Sequence, residues 1–258
     1  NVLVAPSGLK ESVEPLEACR LIASGVRKIF PNANITSIPV VDGGEGTTKT
    51  LVELTHGALH EATVTGPVGQ KVDSYFGFLG GTEKKTAVIE MAAAAGLRLV
   101  PRDQRNPELT TTYGVGELIK LALDEGAERI LFGCGDSGTN DAGIGLAQAL
   151  GVSFKDEDGN ELGFGSCNIP KLHSIDMSNV DKRLANVQID AALNHKNILC
   201  GPNGVSRVYG PQKGASPEQV EEMSAALDHF ATVVQRDVGT DVALIDGGGA
   251  SGGLGSGI

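Results

Sequence analysis

Three times along this chain a short apolar run ends in a glycine-bearing polar loop, which then opens a helical pattern. Residues 2–5 lead into Ser7-Gly8-Leu9-Lys10-Glu11-Ser12. Residues 35–41 lead into Asp42-Gly43-Gly44-Glu45-Gly46. Residues 129–133 lead into Gly133-Cys134-Gly135-Asp136-Ser137-Gly138-Thr139-Asn140-Asp141. Strand, loop and helix in that order predict an α/β fold with an open parallel sheet. Ligands of such sheets bind at the carboxyl ends of the strands, where these loops lie. Glycine supplies 36 of 258 residues, about twice the usual ~7%. The excess falls in the loops, where bare backbone lets N–H groups approach a ligand.

The periodicity between the loops is readable. Leu16, Cys19, Ile22, Ala23, Val26 and Phe30 recur at helical spacing behind Pro15, and residues 47–54 form a second helix. From about residue 62 the texture changes. Residues 61–65 and 73–78 read as strands around Gly66-Pro67-Val68-Gly69, with an antiparallel pairing, and residues 86–91 as a third strand. Helices are expected at 114–123, capped by Thr112, at 142–150, and at 217–234, opened by Ser216. Residues 247–258 are a glycine-rich, low-complexity tail.

Charge and composition exclude several classes. The net charge is −11 and no basic run occurs, which argues against a nucleic-acid partner or an acidic membrane surface. An anionic ligand must then be held by a few local donors. No apolar run approaches the roughly 20 residues of a membrane span, and the first residues read as a strand with no basic region before them. Cys19, Cys134, Cys167 and Cys200 form no C-x-x-C pair, as expected of reduced thiols in a cytoplasmic protein. Neither a Walker A pattern nor the protein-kinase signature set is present.

Each loop offers candidates. Lys10 sits where a phosphate contact is plausible, although a solvated lysine at a helix start is equally ordinary. Asp42 and Glu45 flank a glycine pair; carboxylates so placed can hold Mg²⁺ or accept from substrate hydroxyls. A plain helix cap would not need three glycines. The third loop matches G-x-G-x-x-G at Gly133, Gly135 and Gly138, but Asp136 would repel a pyrophosphate there. Ser137, Thr139, Asn140 and Asp141 suit phosphate oxygens and a metal better. On the turn Gly210-Pro211-Gln212-Lys213-Gly214, Lys213 is the one cation presented, either a phosphate clamp or a surface lysine. His195, in Asn194-His195-Lys196-Asn197, could act as a base but is more often structural. Cys134 offers a thiol nucleophile as a minor alternative.

Taken together and in this order, VLVAPSGLKES, VVDGGEGT, VTGPVGQ, TAVIEMAAAAGL, RNPELTTTYGVGELI, GCGDSGTNDAG, CGPNGV, VYGPQKGAS and GASGGLG resemble the glycerate kinase family. The likeness runs the length of the chain. It implies phosphorylation of D-glycerate with ATP and Mg²⁺. It also implies a Rossmann- or flavodoxin-like parallel-sheet domain with a second α/β domain inserted into it. We therefore expect residues 1–61 to begin the first domain, 62–239 to form the insert, and 240–258 to start the return. The resemblance gives Lys10 and Lys213 the anionic contacts. Gly135, Ser137, Gly138, Thr139 and Asn140 would hold the nucleotide. Asp42, Glu45 or Asp141 would hold Mg²⁺, with Asp42 and Asp141 the metal candidates, or accept the glycerate hydroxyl proton.

Three departures stand out. The family pattern has an acidic residue at Ser7 and aspartates at Asn194 and Lys196, one of them a candidate general base; the segment here is of an Asn/His type. Family members also continue past Ile258, so apolar side chains of residues 1–60 should lie uncovered. Two rival readings follow: an NAD(P)-dependent oxidoreductase of a small hydroxy acid, resting on the G-x-G-x-x-G match, and a catalytically silent ligand-binding homologue. Monomer and homodimer both remain open.

Overall fold

Alternating residues pair two strands over their full length, β3 (Ala58–Thr65) and β4 (Lys71–Phe78), in antiparallel register from Ala58↔Phe78 to Thr65↔Lys71. This hairpin is one edge of the principal sheet in the computed structural model, which describes residues 1–9, 12–193 and 196–258. Next to it lies β5 (Thr86–Glu90), buried at all five positions, as a central strand covered on both faces must be. β6 (Arg129–Gly133) and β9 (Gln188–Ala192) follow in parallel, giving the order β3-β4-β5-β6-β9. The sheet is therefore mixed, as the antiparallel reading of residues 61–78 anticipates. A separate parallel pair joins β1 (Val2–Val4) to β2 (Ile35–Ser37), and β7 (Ser153–Lys155) pairs antiparallel with β8 (Ser174–Asp176).

Helices flank these sheets: α1 (Pro15–Ile29), α2 (Thr47–Thr55), α3 (Ala92–Ala95), α4 (Tyr113–Asp124), α5 (Ile144–Ala149), α6 (Val205–Tyr209), α7 (Pro217–Asp237) and α8 (Ala250–Gly257). One core packs α4 against β5 and β6 through Val115, Leu118, Ile119, Ile89, Ile130 and Phe132. A second gathers Leu199, Leu227, Phe230 and Val233 under α7. The start of α7 is a capping box. Ser216 Oγ accepts from Gln219 N–H at 3.3 Å, and Gln219 Oε1 accepts from Ser216 N–H at 2.9 Å, an arrangement worth about 1 kcal/mol.

Several boundaries differ from the sequence expectation, each for a local reason. β2 ends at Ser37 and not at residue 41. Ile38 N–H still reaches Val4 O and Val40 N–H reaches Pro6 O, but Pro39 between them has no N–H to give. α5 begins at Ile144 because Ala142 and Gly143 are left-handed, with φ of 55° and 78°. Thr112 stands at the N-cap of α4 as expected, but its side chain makes no capping bond there; its hydroxyl donates to Asp141 instead. The glycine-rich tail is not loose. Ala250 to Leu254 are buried, and α8 packs against α5 and α6. In residues 1–60, Leu3, Leu21, Ile22, Ile29, Phe30 and Ile38 are exposed. Among the described residues, no helix is long and apolar enough to cross a membrane.

Candidate active site

Two strand-end loops are locked to each other and to the sheet. Gly43 has φ of +90°, and a Cβ there would lie 2.8 Å from Ala192 O, at the end of β9. Only glycine lets the first loop lie that close to the sheet. Glu90, at the end of β5 and fully buried, accepts from Gly46 N–H at 3.2 Å, Thr48 N–H at 2.7 Å and the Tyr75 hydroxyl at 2.7 Å. It thus satisfies two donors at the opening of α2. Glu45 N–H donates to Asp136 Oδ2 at 3.0 Å, which joins the first loop to the loop after β6. Asp136 itself is left-handed, with φ of 53°, a conformation that costs a non-glycine residue about 1 kcal/mol or more. We expect Gly43→Ala to lower stability by about 2 kcal/mol through strain and backbone collision. Urea unfolding at a wild-type midpoint would show that the loop can move aside.

The joined loops form one wall of a cleft. Asp42 comes from the first loop, and Cys134, Gly135, Asp136 and Ser137 from the second. Tyr209, at the end of α6, and Gln212 and Lys213, just after it, face them, and Ser251 and Gly252 close the cleft from α8. An adjoining hollow is lined by Ser7, Gly8, Leu9, Val13 and Pro15, and it shares Asp42 and Asp136 while adding Glu45. Those two aspartates border both spaces.

Lys213 is not a surface lysine. It is 2% exposed, and its Nζ donates to Ser137 Oγ at 2.8 Å and Thr139 O at 2.6 Å. A buried ammonium so placed is a strong local field for an anion. Burial of Glu45 pushes its carboxyl above the ordinary range. Arg98, 3.6 Å away, opposes that rise, while Asp136, Glu90 and Glu14 add to it.

Several of the expected site residues are engaged within the fold. Asp141 is 1% exposed. Its carboxylate accepts from Thr112 N–H (2.8 Å), Thr112 Oγ (2.9 Å), Gly143 N–H (3.3 Å) and Gly145 N–H (3.3 Å). With its oxygens so bonded, it staples the loop to α4 and α5 and is not among the residues lining the cleft. Gly138 gives its N–H to Ala95 O, and Thr139 and Asn140 are 0% exposed, with Asn140 Nδ2 bonded to Ser206 Oγ at 2.9 Å. These three support the cleft floor, while Gly135 and Ser137 line it. Burial pushes the Cys134 thiol up to about 12, so it carries no thiolate at neutral pH. Finally, α5 starts six residues after Gly138, so the G-x-G-x-x-G loop opens no helix onto a pyrophosphate, and the dinucleotide reading lapses. Lys10, Asn194 and His195 lie outside the described residues.

Sequence reasoning missed Glu90, Arg98, Tyr209, Gln212 and Ser251 and treated Asp136 only as an objection. Glu90 carried a usable signal, since a lone glutamate closing an otherwise apolar or β-branched strand must find partners when buried.

Glycine loops converging on a buried lysine beside an acidic wall are the makings of a phosphotransferase, whose chemistry needs positioning and charge neutralisation. The sequence matches the glycerate kinase family over residues 2–258, and the chain belongs to that family. It is 48% identical to the glycerate kinase of Haemophilus influenzae over 99% of this chain and 67% of that protein. It is 46% identical to the glycerate 2-kinase of Escherichia coli over 100% of this chain and 67% of that protein. A crystal structure described as a glycerate kinase 2 from Salmonella typhimurium LT2 superposes with a TM-score of 0.85 at 45% identity, covering 99% of this chain and 68% of that one. The chain thus spans about two thirds of the length of these relatives.

Proposed function

We propose that this protein is an ATP-dependent kinase of D-glycerate, working with Mg²⁺ as a cytoplasmic enzyme of small-molecule metabolism. The observation that carries the reading is the 3.0 Å bond between Glu45 N–H and Asp136, which merges two strand-end loops into one wall facing the buried Lys213. Family membership supplies the substrate class. The four unpaired cysteines suit a reducing compartment.

The residues divide the work by chemistry. The Lys213 ammonium and Ser137 hydroxyl supply donors to an anionic oxygen, a carboxylate or a phosphoryl group. Asp42 and Asp136 repel such an anion unless a cation intervenes. Among the described residues no cluster of three or more ligating side chains forms a metal cage. Mg²⁺ is commonly held by one or two carboxylates together with phosphate oxygens, so Asp42 and Asp136 fit it where Asp141 does not. The ion would neutralise charge on the transferred phosphoryl group. Glu45, with its raised carboxyl at the same wall, is placed to accept a hydroxyl proton.

A coupled ADP-release assay with D-glycerate tests the reading. Turnover that requires D-glycerate and Mg²⁺ supports it. Ligand binding without ADP release would instead establish the silent homologue. Arg98→Ala gives a further check through pH. Arg98 holds the Glu45 carboxyl down, so removing it raises that group further, and the acid limb of kcat/KM moves to higher pH. An unmoved limb would remove Glu45 from the proton transfer.

A further inference from the structure

The opening of α8 has backbone that a helix does not need. Ser251 (φ 53°, ψ 45°), Gly252 (φ 73°, ψ 29°) and Gly253 (φ 94°, ψ 1°) are all left-handed. For the two glycines this is ordinary; for serine it is costly. The turn is pinned to the loop after β6. Ala142 N–H donates to Gly252 O at 3.0 Å, and any Cβ on Gly252 would collide with Thr139 O. Thr139 O also accepts from Lys213 Nζ, so one carbonyl lies against both the turn and the buried ammonium.

Ser251 is 8% exposed and lines the cleft, and its Oγ has no hydrogen-bond partner among the described residues. A buried hydroxyl left unsatisfied costs about 1–3 kcal/mol, in a residue that is already strained. Thr139 Oγ1 and Asn140 Oδ1, in the same loop, are likewise buried without partners among the described residues. Strain and an orphaned polar group at one cleft residue are costs that folding alone does not explain.

We propose that Ser251 is a substrate-binding residue whose hydroxyl donates to an anionic oxygen held beside Lys213, either the carboxylate of the hydroxy acid or a phosphoryl oxygen of the nucleotide. The proposal rests on the kinase reading and gives it a contact from a fourth segment of the chain. A hydroxyl supplies a donor where Asp42 and Asp136 offer only acceptors. It also fixes orientation, since Lys213 alone is a point charge with rotatable donors.

The test uses Ser251→Ala and Ser251→Gly. Ser251→Ala keeps the β-carbon and removes only the unpartnered hydroxyl, so its Tm should match or exceed wild type. Ser251→Gly relieves the left-handed strain and serves if the alanine variant folds poorly. KM should rise about tenfold for one substrate, with kcat changing less. A rise confined to D-glycerate assigns the carboxylate; a rise confined to MgATP assigns the phosphoryl oxygen. Unchanged KM for both substrates overturns the proposal, as does a fall in Tm with unaltered KM, which would make Ser251 a packing residue. Thermal shifts induced by D-glycerate and by MgATP, measured separately, keep this test independent of turnover. A wild-type shift lost in the variants supports the proposal even if no ADP is released. Equal shifts in all three proteins, or none in wild type, overturn it.

Discussion

Replacing Lys213 by alanine lowers kcat/KM with D-glycerate about 100-fold, roughly 2.7 kcal/mol of transition-state stabilisation. The size follows from burial. An exposed lysine would be screened by solvent and replaceable, whereas this ammonium is 2% exposed and held by Ser137 Oγ and Thr139 O. Alanine also leaves those oxygens without a donor, so some stability is lost with the activity. Lys213→Met separates the two, because it fills most of the same space without the charge. We expect its kcat/KM to fall as far as in the alanine variant while its Tm stays nearer wild type. Wild-type kinetics in the methionine variant would show that the ammonium serves only the loop.

The second large effect is on stability. Asp141→Ala strands the Thr112 N–H and hydroxyl and the Gly143 and Gly145 N–H groups in a buried site. Loss of a buried, multiply bonded carboxylate costs about 4 kcal/mol, or about 10 °C in Tm for a chain of this size. Asp141→Asn, which keeps an acceptor, should recover part of that. Calorimetry decides: an Asp141→Ala protein with wild-type Tm and a collapsed kcat would return this carboxylate to the chemistry.

The contrast between Lys213 and Asp141 shows what a sequence of this kind reveals. Strand-end glycine loops announce where ligands go, because bare backbone at those points has few other uses. The loops at 42–46 and 133–141 were legible for that reason, as were β3, β4 and α7, where alternation, helical spacing and a capping serine agree with one another. Which side chain of a loop faces the cleft was not legible. Four polar residues in succession, Ser137, Thr139, Asn140 and Asp141, look alike in sequence. The left-handed turn at Ala142 and Gly143 and the pull of Thr112 draw the later ones inward. Contacts that cross long sequence distances, such as Glu45 to Asp136 or Glu90 to Thr48, leave no local trace. The glycine-rich tail reads as low complexity because its place in the fold rests on close approach to the carbonyls it packs against, which its composition does not announce.

The bond between the two loops has a consequence for how this site can vary. Glu45 takes part through its backbone N–H, while Asp136 takes part through its carboxylate. Any residue except proline at position 45 preserves the tie, whereas position 136 tolerates little that lacks an acceptor of the same length. The side chain at 45 can therefore be exchanged without losing this bond, although its ion pair with Arg98 is lost with the carboxylate. For directed evolution, position 45 is the adjustable one and position 136 the constrained one, although the two stand at opposite ends of a single hydrogen bond.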